Sequence, residues 1–167
     1  VRRTQTFAWS PYNMRLGLLG GSFNPIHRCH LSIARSARQL LQLDRVLFIP
    51  TGDPPHKQPG TLAAASHRHR MVQLAIQDTP EFALTDLEIR RSGKSYSIDT
   101  VRAIQQEYGP DTVLFFIIGL DAFLDLPSWK EADTLLKSCH FVVISRPSTS
   151  FQAMAAIPLF RDVPQTT

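Results

Sequence analysis

Only two cysteines occur in 167 residues, Cys29 and Cys139. They are too few for a disulfide framework and too far apart for a paired-ligand knuckle, which favours a reducing cytoplasm. Long hydrophobic runs are missing as well. The most extended nearly apolar run, residues 113–118, falls far short of a membrane span. The opening VRRTQTFAWSPYN has basic residues without an apolar stretch behind them, so it is not expected to be a secretory signal. Residues 1–13 are expected to form a disordered extension ahead of Met14, where the patterned sequence begins and the working start is expected. Acidic excess is lacking, the net charge being +4. The basic residues are scattered and form no block interleaved with aromatics, so nucleic acid is not the expected partner. Small phosphorylated substrates suit such a balance better. Internal repeats and low-complexity tracts are absent. The GKS at 93–95 is no P-loop, because the glycine needed five positions before Gly93 is Glu88. A GxGxxG dinucleotide fingerprint occurs nowhere.

What remains is a globular composition, 43% hydrophobic and 19% charged, in a chain long enough for one domain with a sizeable core. Short runs rich in Val, Ile, Leu and Phe fall at 16–19, 46–49, 113–118 and 141–144. They lack polar alternation, as strands covered on both faces do. Residues 82–89 make a weaker strand candidate. Helical spacing covers about 29–43, 65–78, 97–107 and 129–138. In the first of these, Leu31, Ala34, Ala37 and Leu41 share one side. Gly109 followed by Pro110 reads as the stop of the third helix. This alternation predicts an α/β Rossmann-like, doubly wound parallel sheet of about five strands with helices on both faces. Ligands then belong beyond the carboxyl ends of the strands, where residues 20–30, 50–57 and 119–129 fall. The expected limits are a domain over 14–147 and an irregular tail over 148–167.

The stretch GGSFNPIHRCHL carries the chemistry. Gly20 and Gly21 end a strand and let a ligand approach the backbone. Pro25 forces a turn, and a helix begins near His27, so free N–H groups and the positive dipole end would face a phosphate. His27 and His30, three apart, can project from one side of that first turn and donate to a phosphate that gains charge. The plain alternative is one capping and one surface histidine. Zinc on His27, Cys29 and His30 lacks an obvious fourth ligand.

These residues reach a family. GGSFNPIHRCHL resembles the GGxFxPxHxGH signature of the nucleotidyltransferase superfamily, whose histidine motif is shared with class I aminoacyl-tRNA synthetases. IPTGDPPHK, HRHRMVQLAI, SYSIDT, FIIGLDAFLDLPSW and ISRP follow in the order of the blocks of bacterial nicotinate-mononucleotide adenylyltransferases, over about 14–147. The resemblance implies transfer of AMP from ATP to nicotinate mononucleotide, with Mg²⁺ and no covalent intermediate. It implies that His27 and His30 polarise the ATP phosphates, with Lys57 neutralising charge beside His56. Gly20, Gly21, Ser22 and Phe23 would form a backbone cradle, and Gly119 and Asp121 the adenosine side. Tyr96, Ser97 and Thr100 would line the mononucleotide pocket, Trp129 would stack on the pyridine, and Arg146 would bind phosphate. No residue is expected to ligate a metal directly. Plain alternatives stand beside these roles: a solvated Lys57, a turn at His56, core packing for Tyr96 and Trp129, and a cap at Asp121 or Asp125. His67 and His69 are expected on a helix surface, with Arg70 and Met71 supporting packing.

The match breaks at two places. Cys29 stands where the family has a glycine, and its side chain would crowd the nucleotide or point aside. The family's closing SxTxxR segment has no counterpart: SRPSTS lacks the spaced arginine and Arg161 follows IPLF. The C-terminal part of the family fold is therefore expected to be missing. Ser22, Asn24 and Ser97 are milder departures. The rival readings are pantetheine-phosphate adenylyltransferase and a non-catalytic mononucleotide-binding protein. The oligomeric state is left open, a homodimer being one reading.

Overall fold

The computed structural model describes residues 13–55, 58 and 60–145. Five strands form one parallel sheet: β1 (Arg15–Gly21), β2 (Arg45–Pro50), β3 (Phe82–Leu84), β4 (Val113–Gly119) and β5 (His140–Ile144), in the order β3-β2-β1-β4-β5. The helices are α1 (Arg28–Leu40), α2 (Ala65–Ile76), α3 (Leu87–Arg90), α4 (Ser97–Tyr108), α5 (Leu120–Leu124) and α6 (Ala132–Ser138), with one 3₁₀ turn at Leu126–Ser128. The expected doubly wound α/β sheet is what forms.

The apolar runs divide by parity between two cores, which is why they show no polar alternation. Leu16, Leu18, Leu47, Ile49, Leu114, Phe116 and Ile118 face one side, where Ile98, Val101 and Ile104 of α4 pack. Leu19, Val46, Phe48, Phe115 and Ile117 face the other, under Ala34 and Ala37 of α1 and Val72 and Ile76 of α2. The order of strand addition switches sides at β1, which pairs in parallel with β2 on one edge and β4 on the other. Their carboxyl ends splay into a crevice there, the usual ligand position of such sheets.

Several boundaries differ from the sequence expectation. The strand expected over 82–89 stops at Leu84, because Thr85 Oγ1 accepts the Leu87 amide at 3.2 Å and Asp86 pairs with Arg90 at 2.8 Å, turning the chain into α3. The helix expected to reach 43 ends at Leu40, since Gln42 takes a left-handed φ of 50° and Leu43 drops into the core. The helix expected from 129 starts at Ala132, behind a left-handed Glu131. Gly109 does stop α4, at φ 93°. The expected extension, apart from Asn13, and the expected tail lie outside the described residues, as do His56, Lys57, Arg146 and Arg161.

Candidate active site

A cavity of about 550 Å³ opens at the crevice, within the range that holds small ligands. Gly20, Gly21 and Ser22 from the end of β1 line it, with Gly119 from the end of β4. A Cβ built on Gly20 or Gly119 would meet no protein atom within 4 Å. Packing does not require glycine at either position. A side chain at either position would meet open space, and both residues line the cavity.

Beside this cradle stands His30. His27 is the extended residue before α1, and its amide donates to His30 Nδ1 at 3.2 Å, while the His30 amide returns to the His27 carbonyl at 3.0 Å. The two rings stack at 3.8 Å between centroids. The buried ring of Phe23 meets His30 edge-on at 5.1 Å. Because Nδ1 accepts, the neutral ring carries its proton on Nε2, leaving that N–H as the donor available to a ligand. Burial lowers the His30 pKa below the usual imidazole value, and His27 lowers it further. His30 is therefore mainly neutral at pH 7. An NMR titration is expected to give its midpoint below that of a free imidazole, and to move it upward once a triphosphate is bound. A midpoint at or above the free value in the empty protein would contradict this arrangement.

The opposite wall has a different character. Tyr96 and Ser97 line it from the start of α4, and Trp129 and Lys130 from the turn before α6. Trp129 is half-buried and meets Phe116 edge-on at 6.4 Å. The Lys130 ammonium lies 4.9 Å from the Tyr96 ring centre and pairs with Asp99 at 2.9 Å. Thr100 also lines the cavity, but its hydroxyl is engaged: it donates to Glu88 Oε1 at 2.7 Å and accepts from Arg91 at 3.0 Å.

Nine residues expected at the site thus share one cavity: Gly20, Gly21, Ser22, His30, Tyr96, Ser97, Thr100, Gly119 and Trp129. His27 does not line it. It is exposed and reaches the site through its stack on His30. Phe23 is buried in the core, at φ 43°, with its ring beneath the cradle. Asp121 is exposed in the first turn of α5, away from the cavity wall. Lys57 and Arg146 lie outside the described residues.

Sequence reasoning missed three side chains. Lys130 and the buried Glu88 line the cavity. Arg68, only 1% exposed, donates to the carbonyls of Ser22 (2.7 Å), Thr51 (2.7 Å) and Ala63 (2.9 Å), tying the β1 and β2 loops to α2. Its signal was spacing: Arg68, Val72 and Ile76 lie four apart and form the buried side of α2. Glu88 had no comparable signal.

A family profile described as cytidylyltransferase-like matches residues 18–165. A protein named probable nicotinate-nucleotide adenylyltransferase from Citrifermentans bemidjiense is 49% identical over 148 residues, covering 87% of this chain and 68% of the relative. One of the same name from Geotalea uraniireducens is 46% identical over 147 residues, again covering 87% and 68%. Among solved structures, the fold matches Plasmodium falciparum nicotinic acid mononucleotide adenylyltransferase complexed with NaAD, at TM-score 0.66 and 21% identity, covering 85% of this chain and 80% of that one. Strand order, the crevice at β1 and β4 and these sequence relatives agree: the chain belongs to the cytidylyltransferase-like family and, within it, to the nicotinate-nucleotide adenylyltransferases.

Proposed function

We propose that the protein transfers AMP from ATP to nicotinate mononucleotide, giving nicotinate adenine dinucleotide and pyrophosphate. The observation that carries this reading is one cavity with two unlike ends, glycine backbone and the His30 donor on one side, aromatic Tyr96 and Trp129 with Lys130 on the other. The names of relatives 49% and 46% identical support the same reaction. A phosphate oxygen of the mononucleotide attacks the α-phosphorus of ATP. A new P–O bond forms there as the bond to pyrophosphate breaks. The nucleophile is already anionic, so no strong general base is required, and alignment with charge stabilisation carries the catalysis.

In this reading the backbone at Gly20, Gly21 and Ser22 cradles the triphosphate, and His30 Nε2–H donates to it with His27 holding the ring. Gly119 leaves room for the adenosine. Tyr96 and Ser97 receive the mononucleotide, and Trp129 offers its face to the pyridine. Phe23 and Asp121 are supports in this assignment, Phe23 below His30 and Asp121 in the first turn of α5. Lys57 and Arg146 keep the phosphate-binding roles expected of them. Among the described residues no three His, Cys, Asp or Glu side chains gather into a metal cage. In this reading Mg²⁺ would arrive with ATP as the counter-ion of its phosphates. When bound, it neutralises triphosphate charge. Among those residues no helix is long and apolar enough to cross a membrane. The two widely spaced cysteines support a cytoplasmic location in this reading.

The test is pyrophosphate release from ATP with nicotinate mononucleotide, nicotinamide mononucleotide or pantetheine 4′-phosphate as acceptor. Release with nicotinate mononucleotide is expected. Release with the pantetheine acceptor alone, or tight mononucleotide binding without any release, would favour one of the rivals.

A further inference from the structure

We propose that Glu88 is a positioning residue for the acceptor end of the cavity, its buried carboxylate clamping the start of α4 to the loop after β2. The inference rests on the adenylyl-acceptor reading above. Glu88 is the second residue of the single-turn α3 and is 7% exposed. Its carboxylate accepts the Thr100 hydroxyl at 2.7 Å, and the Ser95 side chain and the Gly52 backbone are neighbouring donors that favour its charged form. One carboxylate therefore joins three segments of chain. The Arg91 guanidinium stands one group further out, donating to Thr100 Oγ1 at 3.0 Å.

The surrounding backbone is built for close approach. A Cβ on Gly52 would collide with the Glu88 carbonyl oxygen. The Ser95 amide donates to the Asp53 carbonyl at 2.9 Å, and the Asp53 amide donates to Ser95 Oγ at 3.2 Å. Lys94 and Asp53 pair at 2.9 Å on the outside of the same junction. Tyr96 and Ser97, which line the cavity, follow Ser95 directly in the chain. The junction that Glu88 closes thus sets where these two residues stand.

Charge alone gives no reason for this residue. A carboxylate in a cavity meant for phosphates repels its ligands, and burying it is costly unless every lone pair finds a donor. Burial raises the Glu88 pKa, while Thr100, Arg91, Ser95 and Gly52 pull it back. What the carboxylate supplies is several donors held at one point, a geometry that a neutral side chain of the same shape satisfies only in part.

The test compares Glu88→Gln and Glu88→Asp with the wild-type protein in steady-state kinetics and thermal melting. In Glu88→Gln, KM for nicotinate mononucleotide is expected to rise about tenfold, with kcat and KM for ATP within about twofold. Glu88→Asp, which keeps the charge, is expected to recover part of that loss. Equal changes in both KM values, or a lower melting temperature with unchanged kinetics, would reduce Glu88 to a structural group and overturn the proposal. If Glu88→Gln does not fold, Ser95→Ala carries the same expectation, and an unchanged acceptor KM there overturns it. The wild-type protein is assayed first with both mononucleotides. Turnover of nicotinamide mononucleotide alone would sink the acceptor reading but not this one, which is then measured on that acceptor. Without turnover of either, calorimetric affinities for nicotinate mononucleotide and for ATP in wild type and variant give the same comparison.

Discussion

Replacing His30 with alanine is expected to lower kcat by about 100- to 1000-fold, the usual loss when one donor to a developing negative charge is removed from a water-poor site. The magnitude follows from how the ring is held. Nδ1 is occupied by the His27 amide, so the remaining N–H is on Nε2, in a ring that lines the cavity. Phe23 supports the ring from below and His27 covers its face. Such a donor is already oriented before ATP arrives, and no reorganisation cost falls on the transfer step. His27 cannot replace it, because its ring lies off the cavity wall. The loss is expected in kcat, with KM for nicotinate mononucleotide nearly unchanged, since the acceptor wall is built from α4 and the Trp129 turn. Folding should be little disturbed, as His30 is only half-buried and its loss removes one hydrogen bond, the edge contact with Phe23 and the stack on the exposed His27. Steady-state kinetics beside a melting curve checks both parts. A kcat within about tenfold of wild type would remove His30 from the catalytic apparatus.

Which parts of this arrangement the sequence disclosed depends on the range of the interactions that made them. The strands were readable because both sheet faces are covered, so runs such as 113–118 had to be apolar throughout. The histidine pair was readable because its geometry is set within one turn of α1. The end of α4 was readable because Gly109 adopts a positive φ that other residues resist. Other features depend on partners far along the chain. Glu88 lies 12 residues from Thr100, whose hydroxyl donates to it, and its flanking Leu87 and Ile89 suggested a strand. Trp129 stands outside a helix because Glu131 turns left-handed, in a segment whose Arg102–Glu131 pair spans 29 residues. The short α5 and the 3₁₀ turn had their own signal in Leu120, Phe123 and Leu126, buried at three-residue intervals, but so brief a pattern competes poorly with a loop.

Arg68 carries the largest expected effect on stability. It sits in α2 at 1% exposure, and its hydrogen bonds run to the carbonyls of Ala63, Ser22, Thr51 and, at 3.5 Å, Gly52. Burial lowers its pKa, yet a guanidinium stays charged at any pH the fold would meet, so the group is a permanent donor. Arg68→Met keeps much of the volume and strands three well-bonded carbonyls at once. Each stranded acceptor costs roughly 1–3 kcal/mol, so a loss of about 3 kcal/mol or more is expected, a fall in Tm of about 6–12 °C for a domain of this size. Arg68→Lys should recover only part, because one ammonium cannot span carbonyls on both loops and α2 as the planar fork does. The effect also reaches the cavity. Ser22 and Thr51 both line it, and their carbonyls are what Arg68 holds. ATP binding should therefore weaken in Arg68→Lys even well below its melting temperature, which calorimetry at 15 °C alongside a melting curve would measure. An unchanged Tm in Arg68→Met would mean that those carbonyls find water instead, and that the two loops are held together by the Thr51 amide donating to the Gly21 carbonyl and by the Ala63 amide donating to Asn24 Oδ1.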